Sequence, residues 1–433
     1  MHKIIINDLG PIDYVELSTD EFMVFTGAQA SGKSTIAKTL FFFKTIKDDL
    51  LSLIIRKTTE IKENRESSLY SAMESVLREK FLRVFGSSWG MDNDMYIECR
   101  YCDETFIKIR LEENRNSAPN FIWVDYSENI KNFLIDYYNT LNTYASYITE
   151  DDKTVIKEQL NSIFADKYDC VYIPAGRSVI TLLATQLNSI YSFMEDNQKR
   201  NIDFCTMNYL ERILKIRPEF ENGLKGLSNT NLIKATNRKD VLKIADDLIK
   251  KILKGSYRYN EGDERLELQN KRYVKINFTS SGQQEAVWIL NLLFYYLLNG
   301  KPTFFIIEEP ESHLFPEAQK YISELIALVC KDGHSVLVTT HSPYVLGSLN
   351  NLLYASTLPS KVALKVNGVI NSKLLIEPSK FGAWFVKDGK LINGMDTELD
   401  IINNELIDDI SSVINETYNE LLELRYLSEE SGN

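Results

Sequence analysis

The chain has 433 residues, enough for two lobes with their own cores, and its 44% hydrophobic and 25% charged content is that of an ordinary globular protein. With 49 Lys and Arg against 61 Asp and Glu, the formal charge is −12, which argues against broad sequence-independent adhesion to DNA and leaves only a local basic groove open. No apolar run approaches the roughly 18 residues of a membrane span, and MHKIIINDLG has no signal-peptide layout, so a cytoplasmic protein without membrane partners is expected.

Two short strands are predicted at Lys3 to Asn7 and Tyr14 to Leu17, split by a Gly10-Pro11 turn. A third, Phe22 to Phe25, runs into Gly27-Ala28-Gln29-Ala30-Ser31-Gly32-Lys33-Ser34, which fits G-x-x-x-x-G-K-[ST] without a gap. Thr35 to Leu40 then opens a helix. Glycine-rich turns before helices are common, but the full motif between strand and helix implies a nucleotide triphosphate, ATP or GTP. Its phosphates would meet backbone amides, the positive helix end and the Lys33 ammonium, with the Ser34 hydroxyl on Mg²⁺.

One long helical stretch is expected from Ser34 through Phe85. Alternating strands follow at Met95–Tyr101, Phe106–Leu111 and Phe121–Val124, with a turn at Asn114–Asn120. Cys99 and Cys102 form a lone CxxC with no second pair and no nearby His, and on a strand they would face opposite ways, so neither zinc nor redox chemistry is expected. Helix returns from Glu128 to Asp166. A buried strand, Cys170 to Ile173, ends at Pro174-Ala175-Gly176-Arg177-Ser178. Residues 205–253 read as helical with a break near Gly223–Asn229, followed by antiparallel strands at Tyr257–Tyr259, Arg265–Gln269 and Tyr273–Phe278.

In the last third, a helix from Gln284 to Leu298, an apolar strand Phe304 to Ile307, a helix Glu317 to Val329 and a strand Ser335 to Val338 alternate as in a parallel sheet covered on both faces. The strand before Glu308-Glu309-Pro310 delivers two carboxylates. The first would face Mg²⁺ and the second would polarise water aimed at the γ-phosphate. Upstream, Thr279-Ser280-Ser281-Gly282-Gln283-Gln284 offers hydroxyls and a helix N-terminus to an anion, although Ser-Ser-Gly also serves as an ordinary helix cap. Downstream, Thr340-His341-Ser342-Pro343 places a lone His at the end of the next apolar strand, from which it could reach the γ-phosphate or the attacking water. In the tail, strands are expected at Lys361–Val366 and Trp384–Asp388, then an acidic helix with Leu406, Ile410, Val413, Leu421 and Leu424 on one face.

The ordered set GAQASGKS, TSSGQQ, FFIIEEPESHL and THSP resembles the ABC-type ATPase heads of the SMC/RecF/OLD group. It looks closest to the stand-alone AAA-family ATP-binding proteins of prokaryotic antiphage defence. YIPAGRS at 172–178 extends the likeness loosely. The resemblance implies an α/β fold, a P-loop ABC-type head with a mixed sheet and an antiparallel β-subdomain, carrying a largely helical insertion. Residues 1–45 and 270–350 would form a discontinuous core, 46–269 the β-subdomain and insertion, and 351–433 the part completing the head. It further implies that ATP and Mg²⁺ are held by Gly27 to Thr35, with Ser34 and Glu308 on the metal. Lys33, Glu309 (the base) and His341 (the switch) would be catalytic. Ser280, Ser281, Gly282 and Gln283 would act on ATP bound by a second copy, giving a homodimer or higher homo-oligomer.

Two departures stand out. Glu308 replaces the usual Asp, and no glutamine switch loop can be picked out, with Arg177 and Gln186 as candidates for its place. The implied role is an ATPase sensor or regulatory subunit with a separate effector, a nuclease or toxin. A DNA-repair or chromosome-maintenance ATPase is the alternative, with nucleic acid as partner.

Overall fold

The computed structural model describes residues 2–61, 69–112, 121–143, 148–181, 203–260, 262–268, 272–403, 416–419 and 421. The N-terminal strands are β1 (Lys3–Leu9), β2 (Ile12–Ser18) and β3 (Phe22–Thr26), followed by helices α1 (Lys33–Lys44), α2 (Ile46–Ile61) and α3 (Leu69–Phe85). Thus the predicted single helix from Ser34 is divided. Thr45 ends α1, and its hydroxyl turns back onto the Phe41 carbonyl (2.7 Å), a competing bond that favours a bend.

Strands β4 (Tyr96–Cys102), β5 (Thr105–Glu112) and β6 (Phe121–Tyr126) precede helices α4 (Glu128–Thr143) and α5 (Glu150–Ile163) and strand β7 (Asp169–Ile173). Next come α6 (Phe204–Ile216), α7 (Gly223–Thr230), α8 (Leu232–Asn237) and α9 (Lys239–Leu253). The break expected at Gly223–Asn229 is itself helix. Gly223 opens it at φ +66°, where an added Cβ would stand 2.7 Å from the Tyr257 carbonyl oxygen. The glycine marks a close approach rather than a helix stop.

Strands β8 (Ser256–Asn260), β9 (Asp263–Glu267) and β10 (Tyr273–Lys275) form an antiparallel sheet of order β10-β9-β8. The predicted strand at Tyr273–Phe278 is shorter, because Ile276–Phe278 is a 3₁₀ turn. The chain continues through α10 (Ser281–Asn299), β11 (Thr303–Glu308), α11 (Pro316–Lys331), β12 (Ser335–Thr339), α12 (Pro343–Thr357) and α13 (Ala363–Val369). The expected strand at Lys361–Val366 is a 3₁₀ turn followed by α13. Val362, Val366 and Ile370, four apart, line one cavity with α12, so helical spacing overrides the apparent alternation. Strands β13 (Phe381–Lys387), β14 (Lys390–Asn393), β15 (Met395–Asp396) and β16 (Ile401–Ile402) close the described chain. Gln186, the turn at Asn114–Asn120, Gln269 and the tail residues Leu406, Ile410, Val413 and Leu424 lie outside the described residues.

The central sheet has the order β14-β13-β3-β12-β11-β7, and every neighbouring pair is parallel except β13 with β14. Its residues alternate between two cores. Phe22, Val24, Phe305, Ile307, Val336 and Val338 pack with α10 and α11, whereas Met23, Phe25, Phe304, Ile306 and Leu337 pack with α1 and the antiparallel sheet β2-β1-β4-β5-β6. Burial on both faces is why these strands read as unbroken apolar runs. At roughly 1.5–3 kcal/mol for each fully buried Phe or Ile, this double face dominates the stability of the sheet. Because β3, β12, β11 and β7 run parallel, the loops leaving all four emerge on one edge, the place where open α/β sheets bind ligands. No helix among the described residues is long and apolar enough to cross a membrane.

Candidate functional site

The loop leaving β3 is shaped by two glycines. Gly27 has φ +140°, and an added Cβ would stand 2.4 Å from the Val386 carbonyl oxygen. Gly32 has φ +107°, and its Cβ would meet the Ile12 side chain at 2.3 Å. The loop is therefore wedged between β13 and β2, and no side chain fits at either point. Gly32 also starts α1, and no side chain caps that helix end, which leaves its first amides to an anion. Ser34 is exposed there.

Lys33 is 5% exposed. Its ammonium donates to the carbonyls of Gly27 (3.0 Å) and Ala28 (2.8 Å) and reaches the Ser31 hydroxyl at 3.4 Å. Burial pushes its pKa down, while the charges of Glu309, Glu311 and Glu308 pull the other way. Three carboxylates thus act on one ammonium.

Those carboxylates belong to β11 and the turn after it. Glu308 is buried. Its Oε2 accepts from the Ala175 amide (3.2 Å), and its Oε1 is enclosed with no partner. Burial, with Glu308 alongside, pushes the Tyr172 phenol well up, so that hydroxyl stays neutral. Glu309 takes the left-handed conformation (φ +42°), and its amide donates to the Thr339 carbonyl (2.9 Å). Its carboxylate accepts from the Ser312 hydroxyl (3.2 Å) and stands 3.5 Å from His341 Nε2, with both side chains about one-third exposed. His341 follows β12 directly, so neighbouring parallel strands deliver the pair.

An enclosed carboxylate oxygen with no partner and an exposed hydroxyl at a helix N-terminus suit a hard divalent cation that also binds phosphate. Glu308 and Ser34 therefore fit Mg²⁺. Among the described residues, no group of three or more His, Cys, Asp or Glu side chains forms a metal site by itself.

Residues Ser280 to Gln283 cap and open α10. Ser280 caps α10 in a reciprocal capping box with Gln283, whose amide also donates to the Leu253 carbonyl (2.7 Å). None of the side-chain hydrogen bonds of Ser280 or Gln283 reaches the phosphate loop. Gly282 lies against the Pro310–Phe315 turn, where an added Cβ would be 2.5 Å from the His313 carbonyl oxygen. The chain brings Glu309 to His341 and sets the charges of Glu308, Glu309 and Glu311 against Lys33, whereas Ser280 and Gln283 keep their side-chain hydrogen bonds within the α10 cap and on Leu253.

Two further residues went unassigned or misassigned in the sequence. Glu311 is buried. Its Oε1 accepts from the Thr340 hydroxyl (2.6 Å) and the His341 amide (2.8 Å), and its Oε2 has no partner. It sits two residues after Glu309, a spacing that could have flagged it. Arg177, considered as a stand-in for a switch glutamine, is completely buried behind the carboxylates and is bound to Glu285 of α10. A guanidinium enclosed in this way cannot swing to a nucleotide, so that reading is corrected.

Residues 1–346 match the AAA ATPase domain family. A probable ABC transporter ATP-binding protein p29 of Mesomycoplasma hyorhinis is 29% identical over 113 residues, which is 26% of this chain and 43% of that protein. The match thus spans less than half of that relative. Among solved structures, an Smc head bound to the C-winged helix domain of ScpA shares 13% identity, covering 90% of this chain and 96% of that one with a TM-score of 0.41. An Smc head with an extended coiled coil bound to the C-terminal domain of ScpA, derived from Pyrococcus furiosus, shares 13% over 98% and 100% of the two chains, with a TM-score of 0.39. The SMC head domain from Thermotoga maritima shares 14% over 80% and 90%, with a TM-score of 0.33.

Proposed function

The chain belongs to the AAA ATPase domain family, and from that membership we propose that it binds ATP between two copies and hydrolyses it as a conformational switch. The observation that carries this reading is the convergence of Lys33, Glu308, Glu309 and His341 at one sheet edge, with Ser280 and Gln283 making no side-chain hydrogen bond to the phosphate loop of their own chain. One copy then supplies charge neutralisation and the base, and its mate supplies the serine-glycine turn.

On binding, Lys33 exchanges the Gly27 and Ala28 carbonyls for phosphate oxygens, and the amides opening α1 take the remaining charge. Ser34 and Glu308 would hold Mg²⁺, which would supply charge neutralisation to the transferring phosphoryl group. Glu309, steadied by Ser312 and His341, accepts the proton of the attacking water while the bond from the γ-phosphorus to the bridging oxygen breaks. The turn from the second copy completes the electrostatic cage, so ATP joins the copies and hydrolysis parts them.

For the output, we propose control of a separately encoded effector, a nuclease or toxin, in an antiphage system. Support for this comes from the resemblance of the four motifs. A DNA-maintenance ATPase would use the same switch.

Glu309→Gln is the test of the core reading. It should keep ATP binding, lose hydrolysis and accumulate as an ATP-bound pair on size exclusion with light scattering. Wild-type turnover in this variant would remove Glu309 as the base. Affinity capture of the trapped pair from its host separates the outputs: a bound nuclease or toxin supports the first, and bound duplex DNA the second.

A further inference from the structure

Among the described residues, Arg177 is second only to Trp288 in size among the completely buried side chains. Its Nη1 donates to the carbonyls of Pro174 (2.5 Å) and Glu308 (2.6 Å), its Nη2 to the Glu309 carbonyl (2.8 Å), and its Nε to the Glu285 carbonyl (3.3 Å). Glu285, also buried, returns the contact. Its carboxylate accepts from the amides of Arg177 and Ser178, both at 3.0 Å, and lies 3.4 Å from Arg177 Nε. Thr181 adds a bond to the Gln284 carbonyl (3.2 Å). Three segments meet on this one ion pair: the exit of β7, the exit of β11 and the first turns of α10.

A guanidinium in an apolar core is costly unless every donor is satisfied. Here two donors go to the main chain of the two carboxylate residues themselves. Glu309 holds a left-handed backbone that side-chain-bearing residues rarely adopt. Arg177 grips its carbonyl while Thr339 takes its amide, so the direction of the Glu309 side chain is set from behind. The same loop reads Glu308 through the Ala175 amide.

At the far end, Glu285 lies two residues after Gln283, in the helix that Ser280 caps. Gly282 rests on the turn following Glu309. The carboxylates and the Ser280–Gln283 turn are thus joined twice, through Arg177–Glu285 and through Gly282–His313.

We infer that Arg177 and Glu285 form a positioning pair. It holds the Glu309 main chain and makes the Ser280–Gln283 turn follow the carboxylates, so that each copy reports its own nucleotide through the surface it offers the other. This inference rests on the ATP reading above. Neither residue touches the nucleotide, and their effect is exerted through Glu308, Glu309 and α10.

The test uses the full chain with Arg177→Lys, which keeps the charge and loses the planar fork, and with Glu285→Gln, which keeps the shape should the first fail to fold. Hydrolysis and ATP-dependent amide exchange are measured together. In a variant with a wild-type melting profile, KM should stay within about threefold while kcat falls at least about tenfold. Protection of Gly27–Thr35 by ATP should persist, and protection of Ser280–Val287 should vanish. Wild-type kcat in a folded variant overturns the inference, as does loss of protection at both segments or no ATP response at Ser280–Val287 in the wild type. Absence of protection at Gly27–Thr35 in the wild type would instead defeat the nucleotide reading, and the pair's role with it.

Discussion

His334 is 2% exposed. Its Nδ1 has no partner, and its ring lies 5.6 Å from that of Phe305. Burial, with the Arg238 charge second, lowers its pKa to about 4. The unfolded chain takes up this proton near the ordinary value of 6.5, and the folded chain does so only near 4. Stability is therefore whole above 6.5 and drains as pH falls through that window, by roughly 1.4 kcal/mol per unit of difference. His2 is likewise held at about 4, by burial first and Lys44 next, so two protons act in the same direction. Urea melts at pH 7 and pH 5 should show a marked loss of stability at the lower pH. His334→Gln, whatever its own cost at pH 7, should lose less on acidification because one proton is gone. An unchanged difference between the two pH values would show that His334 does not contribute.

Within single elements, legibility followed continuity. Phe304 to Ile307 with Glu308 and Glu309 is one unbroken stretch, so strand, strand end and carboxylates were all readable, as were Lys33 and Ser34 opening α1. The Arg177–Glu285 pair was not, because its members are 108 residues apart, so that Arg177 could be noticed but not its partner. The same holds for β13 beside β3, a parallel neighbour that local pattern cannot announce. In α13, alternation over six residues imitated a strand, since a short apolar run fits either period until its packing partner is known. Gly282 joins an element to a loop in a way the sequence half revealed. Its Cβ-less face lies on the His313 carbonyl, so Gly282→Ala must push α10 away from the turn after Glu309. Fluorescent-nucleotide affinity should stay near wild type, because Lys33 and α1 are untouched. ATP-dependent pairing, measured by light scattering in the Glu309→Gln background, should be lost. Pairing at full strength would mean that the turn contributes nothing to a second copy.

At the scale of the whole molecule, the decisive feature is that one sheet edge carries Lys33, Glu308, Glu309 and His341 while the side chains of Ser280 and Gln283 in the α10 turn make no hydrogen bond to that copy's phosphate loop. If each site is composite, two differently broken copies must repair each other. Lys33→Ala removes the ammonium that answers three carboxylates and the incoming phosphates, so that copy binds no nucleotide but keeps an intact turn. Gly282→Ala keeps the phosphate loop and spoils the turn. Alone, each should be nearly inactive. Mixed in equal amounts, half of the randomly formed pairs are hybrid, and each hybrid holds one site built from two undamaged halves. Hydrolysis should therefore return to about a quarter of the wild-type rate, if sites fire independently and pairs exchange freely. A mixture no more active than the sum of its parts, under conditions where labelled copies exchange, would mean that each chain encloses its nucleotide alone.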